Sequence, residues 1–284
     1  MKNTILITGA TGFIGKHLLK KIPNHVSTLG KDGKNVDLRF REKVMELKKV
    51  ETVIHLAGKI PSEKNFSKNI FFEHNVLGTL NILEYCVKNK IKKIIFISSY
   101  IYGNPKKNPV NERQFIQPHN AYTKSKFLAE ELCKTYGEKF GIKIIILRPF
   151  NVYGSSLKKD FFISNILKSI KNNKPITIIN KNDKRDYLFV DDLVDAIIKM
   201  IDYDCEFEIF NVGSGKCISF EKLICLFEKK SGKKIKKVVK TSKKNHISKI
   251  QADITKIKSK TGWSPKYSIE EGVEAILLEK GLLS

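Results

Sequence analysis

Tyr122 and Lys126, in the stretch Tyr122-Thr-Lys-Ser-Lys126, are four residues apart, the spacing that places two side chains on one face of a helix. An ammonium beside a phenol favours the phenolate, so such a pair is expected to lower the tyrosine pKa from about 10 toward working pH and to act as an acid/base unit. Alone, this spacing is common on solvated helices. Two further constellations give it weight. Gly9-Ala-Thr-Gly12-Phe-Ile-Gly15 follows the apolar run from Thr4 to Thr8 and opens a helix. Glycines there allow a tight turn and bring helix N-terminal N–H groups against a pyrophosphate, which points to a bound dinucleotide. Ser98-Ser99 closes the run Lys93-Ile-Ile-Phe-Ile97. The end of such a strand faces the ligand crevice of an open α/β sheet, where a serine can donate a hydrogen bond to a substrate oxygen as charge develops.

An acidic residue at the end of the second strand binds the adenosine ribose in many dinucleotide sites. Here Val26-Ser-Thr-Leu29 runs instead into Gly30-Lys31-Asp32. Lys31 suits a 2′-phosphate and tilts the cofactor toward NADP(H), while Asp32 beside it pulls toward NAD. Asp37-Leu38 would place a carboxylate near the adenine amino group, or else cap a helix.

These groups need a scaffold, and the first half supplies one by alternating short apolar runs with amphipathic segments, the pattern of a parallel sheet covered by helices. Strands are expected at Thr4 to Thr8, Val26 to Leu29, Thr52 to Leu56, Lys93 to Ser98 and Ile142 to Leu147. Helices are expected at Gly15 to Lys21, Asn69 to Lys88 and Ala121 to Phe140, with only Arg41 to Lys48 helical between the second and third strands. The fold class is α/β: a Rossmann doubly wound sheet over residues 1–150 and about 187–212, with a smaller substrate-binding lobe over 151–186 and 213–284. In the later part, helices are expected at Phe161 to Asn172, Asp192 to Ile201 and Phe220 to Lys230, with strands at Ile176 to Ile179 and Glu208 to Val212. Asp192 and Asp195 are placed as N-cap and acidic N3 residues.

With 284 residues, the chain can bury a large core without disulfide or metal staples. Its five cysteines form no CxxC pair, and no metal site is read. No apolar run reaches the roughly 20 residues that span a bilayer, so no membrane insertion and a cytoplasmic location are expected. The net charge of +24 invites a nucleic-acid partner, but 48 of the 53 basic residues are lysine. Base edges and phosphates are read bidentately by arginine, so a solvated surface that attracts anionic substrates is favoured and no nucleic-acid partner is expected.

The chain resembles the extended short-chain dehydrogenases/reductases, the NAD(P)-dependent nucleotide-sugar epimerases, dehydratases and reductases. The resemblance rests on Thr8 to Gly15, Asp37-Leu38, His55-Leu-Ala-Gly58, Asn75 to Leu83, Ser98 to Gly103, Tyr122 with Lys126, Leu147 to Gly154, Arg185 to Asp192, Asn211 to Gly215 and Gly262-Trp-Ser-Pro265. It implies that Tyr122 is the general acid/base, that Lys126 lowers its pKa and holds the nicotinamide ribose, and that Ser98 orients the sugar hydroxyl or keto group. It further implies a cofactor site formed by Gly9, Thr11, Gly12, Phe13, Ile14, Gly15, Lys31, Asp37, Leu38, Leu56, Ala57, Gly58, Tyr122, Lys126 and Pro149. The substrate would meet Ser98, Ser99, Tyr122, Asn151 and Arg185, the last two at its diphosphate. A guanidinium fork independently suits a pyrophosphate, although Arg185 is also placed to pair with Asp183 or Asp186. His55 and Asn75 are read as structural or cofactor-loop residues.

In the family's 4,6-dehydratases an Asp-Glu pair follows the active-site hydroxyl residue; here Ser99 and Tyr100 stand there, which argues against dehydration. Reduction of a nucleotide-linked 4-keto-6-deoxyhexose and epimerisation at C4 with a tightly held NAD remain; the short chain, the compact connection between the second and third strands and the missing carboxylate at the end of the second strand resemble the smaller keto-reductases and favour the reductase. Non-catalytic dinucleotide sensors share the fold, but Ser98, Tyr122 and Lys126 are all present. The resemblance also implies a homodimer through the helices at Asn69 to Lys88 and Ala121 to Phe140.

Overall fold

The computed structural model describes residues 4–22, 26–27, 36–61, 68–157, 161–242 and 247–284. Isoleucine-rich runs form the middle of the sheet because parallel strands are buried on both faces and favour β-branched side chains. These strands are β1 (Ile5–Thr8), β2 (Val26–Ser27), β3 (Thr52–His55), β4 (Lys93–Ile97) and β5 (Lys143–Pro149). With the strand Phe207–Val212 they make one six-stranded sheet in the order Phe207–Val212, β5, β4, β3, β1, β2. The pairs among β1 to β5 are all parallel, with Thr8 opposite His55 and His55 opposite Phe96. The strand order reverses between β1 and β3, and ligands bind beyond the carboxyl ends of the strands at such a point.

Two compact units divide the chain. The first comprises Met1–Gly103, Ile116–Arg148 and Val194–Phe210. Its core places Leu6, Val53, Ile94, Phe96, Ile144 and Ile146 of the strands with Leu83, Ala129 and Cys133 of the helices. The second comprises Asn104–Phe115, Pro149–Leu193 and Asn211–Ser284. There the helices Phe162–Asn172, Phe220–Ser231 and Ile269–Glu279 bury Ile166, Phe227 and Ile276, and the parallel strands Ile176–Ile179 and Lys237–Lys240 pair with one another.

The helix Ala121–Phe140 has the limits its sequence dictates. Asn120 accepts from the Thr123 N–H while the Thr123 hydroxyl accepts from the Asn120 N–H, and Gly141 ends the helix at φ +66°. Residues 69–89 are helical but contain a π-helical turn at Phe72–Leu77, which apolar spacing did not foretell. The helix expected to start at Asp192 begins instead at Val190, so Asp192 is no N-cap. Its buried carboxylate accepts the backbone N–H groups of Lys266 and Tyr267. Asp195 pairs at 2.6 Å with Lys21 rather than serving the helix terminus.

Candidate active site

After β1 the chain has no room for a side chain at Gly9 or Gly15. Gly9 sits at φ +72°, and a Cβ there would lie 2.7 Å from the Ala57 nitrogen; one on Gly15 would lie 2.5 Å from the carbonyl oxygens of Gly9 and Ala10. The helix α1 (Phe13–Lys21) therefore stands directly on the turn, with Gly12 at its N-cap and no side-chain capping bond. The N–H groups of Phe13, Ile14 and Gly15 have no intrahelical acceptor and sit at the positive end of the helix dipole. Thr8, Gly9, Thr11, Val36, Leu38 and Ala57 border a cleft of about 190 Å³ at the carboxyl ends of β1 and β3. A donor-rich, glycine-rich turn beside an apolar wall fits the phosphates and adenosine of a dinucleotide.

Asp37 does not offer a free carboxylate: it accepts from the Arg39 backbone and, in bidentate fashion, from the Arg39 guanidinium, which holds its pKa below the usual range. Neither does it cap a helix, since the next one starts at Arg41 after Phe40. Lys31 and Asp32, the two residues bearing on the choice between NADP(H) and NAD, lie outside the described residues.

The loop after β3 is tied to the helix Ala121–Phe140 by a chain of buried hydrogen bonds whose direction can be assigned. Thr79 Oγ1 donates to the Asn75 carbonyl, so at 3.0 Å it accepts from His55 Nε2–H. His55 Nδ1 is then the unprotonated nitrogen and accepts from Thr8 Oγ1 at 2.6 Å, while Thr8 Oγ1 accepts from the Ala57 N–H. Burial, followed by the charge of Lys126, pushes the His55 pKa down to about 3, so the ring is neutral. Asn75, in the π-helical turn, accepts from the Lys59 N–H and donates to the Lys59 carbonyl and to Ser125 Oγ; Ser125 Oγ donates to the Tyr122 carbonyl. Leu56, Ala57 and Gly58 are thereby fixed beside Lys126, whose Nζ would lie 4.0 Å from a Cβ on Gly58.

Lys126 is buried, donates from Nζ to the Ile97 carbonyl at 2.7 Å, and places its ammonium 4.2 Å from the centroid of the Phe96 ring. Loss of water lowers its pKa to about 8, with the Glu130 carboxylate opposing the fall. The Tyr122 phenol departs from expectation. Its pKa is raised rather than lowered, because burial outweighs a hydrogen bond with Ser99, and the ammonium that was to lower it is engaged at Ile97. The Tyr122 ring also meets Phe71 edge-on at 5.9 Å. Ser98 is 5% exposed and its Oγ has no hydrogen-bond partner among the described residues. Buried hydroxyls are rarely left so, and one at the end of β4 is suited to a ligand oxygen. A phenol that keeps its proton at neutral pH, a buried ammonium and an unpaired hydroxyl are the parts of a proton-donating carbonyl site.

The family model for the NAD-dependent epimerase/dehydratase family matches residues 5–213, most of the chain. The chain belongs to this family. Its extended short-chain dehydrogenase/reductase character and its standing as an enzyme follow. A putative UDP-glucose 4-epimerase of Methanocaldococcus jannaschii is 33% identical, across 96% of this chain and 97% of that protein. A dTDP-4-dehydro-6-deoxyglucose reductase of Escherichia coli is 29% identical across 97% of each. The structure of RMD from Pseudomonas aeruginosa complexed with NADPH superimposes with a TM-score of 0.89 at 25% identity, covering 98% of both chains. NAD(P) binding and the Rossmann-like sheet of this family member accord with these matches.

Other residues of this epimerase/dehydratase family member belong to the second unit. Pro149 ends β5 and is buried. Asn151 Nδ2 donates to the Asp186 carbonyl at 2.9 Å. The Arg185 guanidinium donates to the Lys184 carbonyl, stands 3.8 Å from Asp183 and lies over the Phe220 ring. It has no pair with Asp186, whose buried carboxylate accepts from Ser214, Gly215 and Ala252. Sequence reasoning did not assign Glu130, Arg148 and Tyr102 to the site. The one sequence signal for them is Glu130, which falls at the next four-residue step on the face carrying Tyr122 and Lys126.

Proposed function

We propose that this family member is an NAD(P)-dependent nucleotide-sugar oxidoreductase that reduces the 4-keto group of a nucleotide-linked 4-keto-6-deoxyhexose. The observation that carries this is a buried Tyr122 phenol that keeps its proton, together with a buried Ser98 hydroxyl that has no hydrogen-bond partner among the described residues. When bound, the reduced nicotinamide supplies the hydride. Ser98 and Ser99 hold the keto oxygen, and Tyr122 gives it the phenolic proton as the carbon is reduced. The Lys126 ammonium binds the nicotinamide ribose. The backbone of Gly9, Gly12 and Gly15 with the α1 N-terminus takes the pyrophosphate, Val36 and Leu38 flank the adenosine, and Lys31 favours NADP(H). Asn151 and Arg185 take the substrate diphosphate, for which a guanidinium fork is suited. The protein acts as a cytoplasmic homodimer through the helical residues 69–89 and Ala121–Phe140; sedimentation of the purified chain tests the dimer.

A second reading, 4-epimerisation with a retained NAD, is favoured by the 33% identity to the archaeal putative epimerase. It asks Tyr122 to act first as base and then as acid. One experiment separates the two: NADPH or NADH with a nucleotide-linked 4-keto-6-deoxyhexose, and in parallel UDP-hexoses with NAD. Stoichiometric loss of nicotinamide absorbance supports the reductase; sugar conversion without net cofactor change replaces it with the epimerase.

A further inference from the structure

Tyr122, Lys126 and Glu130 occupy successive four-residue steps of one helix and so share a face. Glu130 is fully buried, and its carboxylate is gripped by Arg148 of β5: Nε lies 3.0 and 3.1 Å from the two oxygens, and Nη2 lies 2.6 Å from one of them. The remaining arm of the fork, Nη1, donates to the Tyr102 hydroxyl at 2.8 Å, with the guanidinium carbon 5.1 Å from that ring's centroid. Tyr102 lies four residues beyond Ser98, in the segment that also carries Ser99, whose side chain opposes the rise in the Tyr122 pKa. One planar cation thus joins three pieces of backbone: the helix bearing the acid and the ammonium, the neighbouring strand, and the segment bearing the two serines. Lysine could not do this, because a single ammonium lacks the fixed fork.

We propose that Glu130 and Arg148, with Tyr102, are positioning residues of the reaction, locking the serine segment 98–103 to the helix that carries Tyr122 and Lys126. This rests on the proton-donor role given to Tyr122 above. The fixed geometry has an electrostatic consequence. Glu130 is the buried anion that favours the charged form of Lys126, and because Arg148 occupies both of its oxygens it does so without drawing off the lysine's proton. Structural pairing alone would require neither the reach to Tyr102 nor the placement one step below Lys126.

Two variants test the inference. Removing one partner of a buried pair risks unfolding, so the pair is removed together, as Glu130→Gln with Arg148→Met, a replacement that buried ion pairs tolerate. Tyr102→Phe removes only the hydroxyl contact. In the double variant, the Lys126 midpoint, followed by NMR of its ammonium, is expected to fall by about one pH unit or more, the scale of one lost neighbouring charge. In Tyr102→Phe, kcat for the 4-keto sugar with NADPH is expected to drop about tenfold or more while NADPH affinity and KM stay within about twofold, since misplacement of reacting groups costs on that scale. If either readout matches the wild type in a folded variant, the positioning role is overturned. Should Tyr122→Phe retain turnover, the proton-donor assignment fails by itself, and the Lys126 midpoint still judges the pair.

Discussion

The buried ammonium of Lys126 makes a quantitative prediction about stability. Its pKa is about 8 in the folded chain against an ordinary 10.5, so the folded state releases this proton more readily than the unfolded state does. At about pH 7 both states carry it, and the difference of about 2.5 pKa units is a penalty on the fold of about 3 kcal/mol. As pH rises through 8 the folded lysine loses its charge while the unfolded one keeps it, and the penalty is relieved until the unfolded pKa is passed. Wild type should therefore gain on a Lys126→Met variant by about 1 kcal/mol between roughly pH 7 and pH 9, and by about 3 kcal/mol by roughly pH 10.5. Urea unfolding of both proteins at matched pH values gives this difference directly and cancels the other titrating groups. Parallel stability curves from neutral to alkaline pH would refute the account of Lys126 as a desolvated cation.

Other perturbations follow from the same site. Tyr122→Phe should remain folded and bind NADPH, measured by fluorescence titration, while kcat falls by about 100-fold or more, as loss of a general acid implies. Gly9→Ala should destabilise the fold by at least about 1–2 kcal/mol in thermal or urea unfolding and weaken dinucleotide binding, because the residue is left-handed and its Cβ would overlap Ala57. Lys31→Ala should raise the Kd for NADPH about tenfold and leave that for NADH nearly unchanged, the expected loss of one charge-assisted contact to a 2′-phosphate.

The parts of this molecule that could be read from sequence are those fixed by local rules. Ile94, Ile95 and Phe96 announce a strand buried on both faces, and Asn120, Thr123 and Gly141 delimit a helix with their own side chains and backbone freedom. Gly9 and Gly15 mark a close approach that any substitution would fill. What escaped is decided by distant partners. Asp192 looks like an N-cap until the N–H groups of Lys266 and Tyr267, more than 70 positions away, claim its carboxylate. Glu130 and Arg148 are 18 positions apart on different elements, and no periodicity links them. The Tyr122 shift runs against its spacing for a related reason: spacing puts an ammonium on the same helix face, while burial of the phenol, which raises its pKa, is set by the fold around it.

The hydrogen-bond chain through Thr8, His55, Thr79 and Asn75 has a bearing on how the enzyme's pH behaviour is interpreted. Its bonds run in one sense, from the Ala57 N–H through Thr8, His55 and Thr79 to the Asn75 carbonyl, and burial holds the imidazole pKa down to about 3. The chain is therefore electrically silent throughout the working range: a strut with a fixed sense, unable to pass protons along or to store one. Although the sequence contains six histidines and one of them lies beside the buried ammonium, an inflection near neutrality in a rate profile does not belong to His55. Its ring should resist acylating reagents aimed at imidazoles and keep one tautomeric NMR signature while the chemistry around it turns over.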